Sequence, residues 1–244
     1  MLQGKTILIT GSSSPEGIGA ETARLACEYG AKVILHGLSH TDSLQTLAKE
    51  LNAKYIICDV SDSQAVTNTV RAVLGNDGKV DALINCAGIA KRKLFLETND
   101  EDWIEHYKIN VLGIVHFCQA VIPYMQKQKH GRIVNVASIR GFGNTSGRPV
   151  YSASKAAVIN LTATLAKDFA PDILVNAVAP GFVQTEMSKL WDDVVWKQVN
   201  TSLLGRVGKP SEIGEMLLFL SSDKASFITG QTMIVDGGYS ISQK

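Results

Sequence analysis

The sequence predicts an α/β fold, a parallel sheet with helices on both faces, and two observations carry the prediction. Seven short apolar runs, mostly β-branched, alternate with longer amphipathic stretches along the 244 residues. The runs also lack the in/out alternation of half-exposed strands, as strands buried on both faces should. Strand–helix alternation of this kind favours parallel pairing, because each crossover helix returns the chain to the same end of the sheet.

Taken in order, strands are expected at 5–10, 32–35, 55–58, 82–85, 133–136, 174–178 and 232–235. Helices are expected near 17–30, 41–52, 61–75, 99–128, 150–170 and 210–222. Asp100 with Glu101 ahead of Trp103, and Ser211 with Glu212, supply helix-start chemistry. No repeat, low-complexity tract or linker divides the chain, so residues 1–244 are expected to form one domain.

Composition excludes several classes. Hydrophobic residues make up 45% and charged residues 19%, which permits a large core and argues against disorder. A formal charge of +1 gives no global reason to expect nucleic acid or an anionic membrane as partner. No apolar run approaches the roughly 20 residues of a membrane span. Met1-Leu-Gln-Gly-Lys5 leads almost directly into a strand without room for a signal peptide, so a soluble, cytoplasmic protein is expected. Cys27, Cys58, Cys86 and Cys118 form no CxxC pair, and the histidines form no HxH or HExxH group. Buried free thiols and no metal site are the expectation.

Chemistry enters with Tyr151-Ser-Ala-Ser-Lys155. On a helix the two ends of that stretch stand on one face, a turn apart. An ammonium beside a phenol favours the phenolate, which suits proton transfer to a carbonyl/alcohol couple. The first strand ends in Thr10-Gly-Ser-Ser-Ser-Pro-Glu-Gly-Ile-Gly19 ahead of a helix. That arrangement suits a pyrophosphate at a helix N-terminus, although such a turn can also be only a turn. Asp59 closes the third strand, either as an acceptor for an adenine amino group or as a helix cap. Asn85-Cys-Ala-Gly88 closes the fourth, where the order of an open sheet commonly reverses. Asn110 falls inside a helix, either exposed or held for a polar task. Ser138 follows the fifth strand, as a turn residue or a catalytic one.

Together, Gly11, Gly17 and Gly19, Asn85-x-Ala-Gly88, Asn110, Ser138, Tyr151-x-x-x-Lys155, Pro180-Gly181 and Val235-Asp-Gly-Gly238 resemble the short-chain dehydrogenase/reductase family over essentially the whole chain. Gly205-Arg-Val-Gly-Lys-Pro210 and Ile228-Thr-Gly-Gln231 resemble most the 3-oxoacyl-acyl-carrier-protein reductases. The resemblance implies a three-layer Rossmann fold with a seven-stranded parallel sheet. It also implies hydride transfer between a nicotinamide and a carbonyl or alcohol. By resemblance Tyr151 is the acid/base, and Lys155 holds the nicotinamide ribose and lowers the tyrosine pKa. Ser138 binds the substrate oxygen, and Asn110 supports a water. The cofactor would meet Gly11, Ser13, Gly17, Ile18 and Gly19, then Gly37, Leu38 and Ser39, then Asp59 and Val60. Further contacts would come from Asn85, Ala87, Gly88, Tyr151, Lys155, Pro180, Gly181, Val183 and Thr185. A substrate lid near 183–209 is implied, with Trp191 and Trp196 lining a pocket or packing in the core. A homotetramer pairing helices 99–128 and 150–170 is implied as well.

The chain departs from the family pattern in places. Five residues, Ser12 to Glu16, stand where three are usual. A basic residue used for the carrier protein has no clear equivalent near 169–173. At the end of the second strand Gly37 replaces the Asp of NAD enzymes, yet Leu38 and Glu16 stand where NADP enzymes often carry basic residues. NADP(H) is expected over NAD, with Ser39 donating to the phosphate and His36 or His40 adding charge if protonated. Lys91-Arg-Lys93, Arg140 and Arg148 suggest an anionic or carrier-tethered carbonyl substrate, the alternative being scattered solvated charges and a neutral ketone, polyol or sugar. A catalytically idle nucleotide sensor is the competing function, and it would have no chemical need for the catalytic four.

Overall fold

A computed structural model of the chain describes residues 1–76, 78–143, 147–186, 188, 199 and 201–242. The seven strands are β1 (Thr6–Ile9), β2 (Lys32–Gly37), β3 (Lys54–Ile57), β4 (Ala82–Asn85), β5 (Gly131–Val136), β6 (Ile173–Pro180) and β7 (Thr232–Val235). They pair in the order β3-β2-β1-β4-β5-β6-β7, every pair parallel. Helices α1 (Ile18–Glu28), α2 (Asp42–Glu50), α3 (Ser63–Leu74), α4 (Asp100–Tyr107), α5 (Gly113–Gln128), α6 (Pro149–Phe169) and α7 (Pro210–Leu220) complete the three layers.

The missing alternation in the strands has a direct cause. Leu8 and Leu83 pack with α3, α5 and α6, while their neighbours Ile7, Ile9, Ala82 and Ile84 pack with α1, α2 and α7. Each strand therefore needs apolar residues on both sides. Register is set across the centre of the sheet, with Ile7 opposite Val33 on one edge and Ala82 on the other. The chain leaves β1 for β2 on one side and returns to β4 on the other, so a crevice opens between the carboxyl ends of β1 and β4.

Several boundaries differ from expectation. β2 continues two residues beyond 35 to Gly37, and β6 is extended to Pro180. The expected helix 99–128 is α4 and α5 joined by a π-helical turn, Lys108–Leu112. Helix α3 begins at Ser63 because Asp62, and not Asp59, caps it, accepting from the N–H groups of Gln64 and Ala65 at 3.0 and 2.9 Å. At α7, Pro210 occupies the first turn, and Glu212 accepts from the N–H of Lys209 at 2.7 Å. The run Asp100–Gln128 is long and apolar enough to cross a membrane by length and composition, but half of that stretch is buried inside this fold.

Candidate active site

The turn after β1 is built for close approach. Gly11 has φ of +70°, and a Cβ there would lie 2.8 Å from the backbone of Ala87. A Cβ on Gly19 would stand 2.5 Å from the carbonyl oxygen of Gly11. Thr10 locks the juxtaposition, its hydroxyl accepting from the N–H groups of Cys86 and Ala87 at 2.9 and 3.0 Å. Gly17 caps α1 with no side chain, so the first amides of that helix have no capping acceptor. Gly17, Ile18 and Gly19 line an open cleft. Bare amides, the positive end of a helix dipole and absent Cβ atoms fit the pyrophosphate of a dinucleotide.

The five-residue loop is tied down at its side. His36 Nδ1 accepts from the N–H of Gly11 at 3.2 Å, and its carbonyl accepts from Ser12 at 2.8 Å. The Ser43 hydroxyl donates to the carbonyl of Ser13 at 2.6 Å. A Cβ on Gly37 would lie 2.9 Å from Leu44 and 3.2 Å from the Cβ of Ser13. The loop thus folds back over the end of β2, with Gly37 packed closely beneath it.

The expectation that His36 supplies charge is corrected. The ring is 2% exposed, and Nε2 is 3.0 Å from the carbonyl of Cys58. With Nε2 donating there and Nδ1 accepting from Gly11, both nitrogens are occupied by the neutral tautomer. Burial drives the pKa down from 6.5 to about 4. The unfolded chain therefore binds the extra proton first, and the fold loses stability as pH falls from 6.5 toward 4. His36→Ala is expected to flatten that decline and to weaken dinucleotide binding roughly tenfold, since a buried N–H of the loop loses its acceptor. Fluorescence titration with NADPH and melts across this pH range measure the two effects.

Other expected cofactor residues divide by position. Gly88, Pro180, Gly181, Val183 and Thr185 line the cleft with the α1 turn. Leu38 and Ser39 are exposed at the end of β2, outside its lining. Asp59 accepts from the N–H of Ser61 at 2.8 Å, a local turn. Val60 packs beneath α5, where a Cβ on Gly113 would come within 2.8 Å of it. Ala87 serves through its backbone at Gly11 and Thr10. Asn85 does not face the cleft among the described contacts: its amide donates to Asn135 at 2.9 Å inside the sheet.

Two motifs form one unit at the end of β6. A Cβ on Gly181 would lie 2.6 Å from the Cβ of Asp236. That carboxylate accepts from the N–H groups of Gly238 and Ser240 at 2.9 and 2.7 Å. The start of the expected lid is held by the Val183–Gly208 bridge. Trp191 and Trp196 lie outside the described residues.

The four residues expected to be catalytic converge. Tyr151 and Lys155 stand one turn apart near the start of α6, with the Lys155 ammonium 5.8 Å from the Tyr151 ring centroid. Lys155 is 5% exposed, and Nζ donates to the carbonyl of Val136 at 2.7 Å. Gly88 sits close against Asn110, where a Cβ would lie 3.0 Å from Oδ1. Ser138 has extended backbone, its Oγ accepts from the N–H of Arg140 at 3.2 Å, and its side chain acts to lower the Tyr151 pKa. Asn110, fully buried on the π-turn, accepts from the N–H of Ile89 at 2.8 Å and donates to its carbonyl at 3.0 Å. It also donates to Ser154, whose hydroxyl donates to the carbonyl of Tyr151. Asn110 thus clamps the chain after Gly88 to the catalytic helix.

The electrostatics differ from the simple pair. Burial raises the Tyr151 pKa, against which Ser138 and then the charges of Arg140 and Arg148 act. Lys155 is itself lowered to about 8 by burial. In the chain alone the ammonium turns to Val136, and the cations that lower the phenol are arginines. The lysines are also otherwise engaged: Lys91 pairs with Glu105 and Lys93 with Asp102, each at 2.6 Å. Sequence reasoning missed Ser14, Cys86, Ala90 and Glu186, which line the cleft as well. The first two were signalled by the motifs that contain them; Glu186 carried no signal.

Residues 11–240 match the family model described as enoyl-(acyl carrier protein) reductase. The 3-oxoacyl-[acyl-carrier-protein] reductase FabG of Thermotoga maritima is 41% identical, covering 97% of this chain and 98% of that protein. Oxidoreductase UcpA of Salmonella typhimurium is 37% identical over 97% and 95% of the two chains. A solved structure titled short chain dehydrogenase/reductase family protein superposes with TM-score 0.89 at 33% identity, covering 98% and 99%.

Proposed function

The chain belongs to the short-chain dehydrogenase/reductase family, and from that premise we propose that it is an NAD(P)(H)-dependent ketoreductase of the 3-oxoacyl-acyl-carrier-protein reductase type. The observation that carries this reading is one cleft lined by the glycine turn, Ser138, Tyr151 and Lys155 together. The glycine turn and the N-terminus of α1 would hold the dinucleotide, with Lys155 beside its sugar. Bound there, the nicotinamide supplies the hydride. As charge grows on the substrate oxygen, the hydroxyls of Ser138 and Tyr151 stabilise it, and Tyr151 delivers its proton. Burial keeps that phenol protonated at neutral pH, which suits the reductive direction.

Oxidation of NADPH on a 3-oxoacyl thioester tests the reading, and no turnover would overturn it. NADP(H) is the preferred cofactor on this proposal, because no carboxylate at Gly37 repels a 2′-phosphate. The expected result is a higher kcat/KM for NADPH than for NADH. A tenfold preference for NADH, about 1.4 kcal/mol at the transition state, would refute it. A dehydrogenase of a small alcohol, polyol or sugar is the second reading; a relative described only as an oxidoreductase is 37% identical, close to the 41% of the reductase.

The proposal extends to a homotetramer. Ile104 and Tyr107 on α4 are 52% and 51% exposed, and Ile234 on the edge strand β7 is 45% exposed. Apolar faces of this kind are compatible with subunit packing. Sedimentation velocity at micromolar concentration should give a tetramer; a stable monomer would refute the assembly.

A further inference from the structure

We propose that Ser43, on α2 and outside the cleft lining, is a positioning residue for the dinucleotide: it holds the carbonyl of Ser13 and so aims the N–H of Ser14 at the pyrophosphate. The inference rests on the dinucleotide reading of the cleft and deepens it, by naming what presets the longer glycine loop.

The argument is one of backbone geometry. The Ser43 hydroxyl donates to the Ser13 carbonyl at 2.6 Å. The peptide unit between Ser13 and Ser14 is trans, so its N–H points to the side opposite its carbonyl. With the carbonyl turned to α2, the Ser14 N–H faces away from that helix. Ser14 lines the cleft with Gly11, Gly17 and Gly19, and Ser13 does not. The N–H groups of Gly11 and Ser12 are taken by the ring and the carbonyl of His36, at 3.2 and 2.8 Å. That of Gly17 is taken by the Ser14 carbonyl at 3.0 Å. The N–H of Ser14 has no acceptor among the described residues. An amide left open there, beside the first turn of α1, is a donor for an anion.

Helix α2 is fit to hold the loop still. Leu44 and Leu47 are 0% and 3% exposed and pack with the apolar residues of β1, β2 and α1. The Thr41 hydroxyl caps α2 by accepting from the N–H of Leu44 at 3.2 Å, and it stands 3.0 Å from Ser43 Oγ. Because the Ser43 proton goes to Ser13, Thr41 is the donor in that pair, and each bond strengthens the next. The other side of the loop is held separately. Arg24 of α1 donates from Nη1 to the Pro15 carbonyl at 3.2 Å, and its Nε donates to Glu50 at 2.9 Å. Both ends of α2 therefore brace the loop, Ser43 directly and Glu50 through Arg24. A loop ordered in advance loses less freedom when its ligand docks, which favours binding.

The test uses the full chain, fluorescence titration with NADPH, calorimetric titration with 2′-phospho-ADP-ribose, thermal melts and steady-state rates. Ser43→Ala is expected to weaken NADPH and 2′-phospho-ADP-ribose alike, roughly tenfold, because a donor to a charged group is no longer aimed. KM for NADPH should rise by a similar factor, with kcat at saturating NADPH kept within about twofold. Ser43→Thr, which keeps the hydroxyl, should restore both affinities. Arg24→Gln, which frees the Pro15 carbonyl, should weaken both ligands several-fold, and it decides the matter if Ser43→Ala is not recovered folded. Parental affinity in these variants would overturn the inference and leave the dinucleotide reading standing. So would a loss confined to NADPH, which would place the effect at the nicotinamide end. A loss shared by Ser43→Thr and accompanied by lower melting temperatures would reduce Ser43 to a structural residue of α2. Parent protein that binds neither NADPH nor NADH would remove both readings.

Discussion

Tyr151→Phe is expected to lower kcat roughly 10²- to 10⁴-fold, the range removed when a positioned acid is deleted. The phenol shares the cleft with Ser138 and Lys155, whose ammonium is 5.8 Å from the Tyr151 ring centroid. Phenylalanine keeps the ring and its packing against α6, so the glycine turn and the latch at His36 are untouched. Dinucleotide affinity should therefore stay within a few-fold of the parent, which separates this variant from a general collapse of the site. Ser138 remains as a second hydroxyl donor and sets the residual rate. The readouts are single-turnover NADPH oxidation and fluorescence titration of cofactor. Near-parental turnover would remove Tyr151 from the mechanism.

What the sequence made legible has a common physical basis. Strand runs were visible because both faces of the sheet are covered, and Ile7 and Leu8 must both be apolar. Tyr151 and Lys155 were visible because helical periodicity places positions four apart on one face. Local rules were less sure at boundaries: Asp59 and Asp62 are both plausible caps, and only backbone geometry selects Asp62. The π-turn that presents Asn110 has no signal in composition, since its cause is the bonds to Ile89 and Ser154. His36 was misread for the same reason. Its partners, Gly11 and Cys58, come from β1 and β3, and no spacing rule pairs them. Lys91 and Lys93 read as basic residues near the site mouth, yet acids of α4 engage both, and that pairing has no signal in the local sequence. Residues 189–198, where a lid was expected, lie outside the described residues.

Lys155→Met should abolish useful turnover and yet raise the stability of the protein at neutral pH. The ammonium is 5% exposed, with the Val136 carbonyl as its hydrogen-bond acceptor at 2.7 Å. Burial lowers its pKa from 10.5 to about 8. Below pH 8 the folded and unfolded chains both hold the proton, and the folded state carries the full cost of the buried charge. Between pH 8 and 10.5 the folded state releases its proton first, so the parent gains stability as pH rises through that window. At ~1.4 kcal/mol per pKa unit, the gain is roughly 3 to 4 kcal/mol at most. Methionine has similar length and no charge, so its variant should lack this rise and melt higher than the parent at pH 7. On the proposed mechanism the variant loses the cation assigned to the nicotinamide sugar, so turnover and dinucleotide affinity should fall together. Thermal melts from pH 7 to 10.5, in the absence of dinucleotide, measure the first effect. A parent whose melting temperature is flat across that window, or a methionine variant that melts lower, would show that the lysine charge is well solvated in the folded chain.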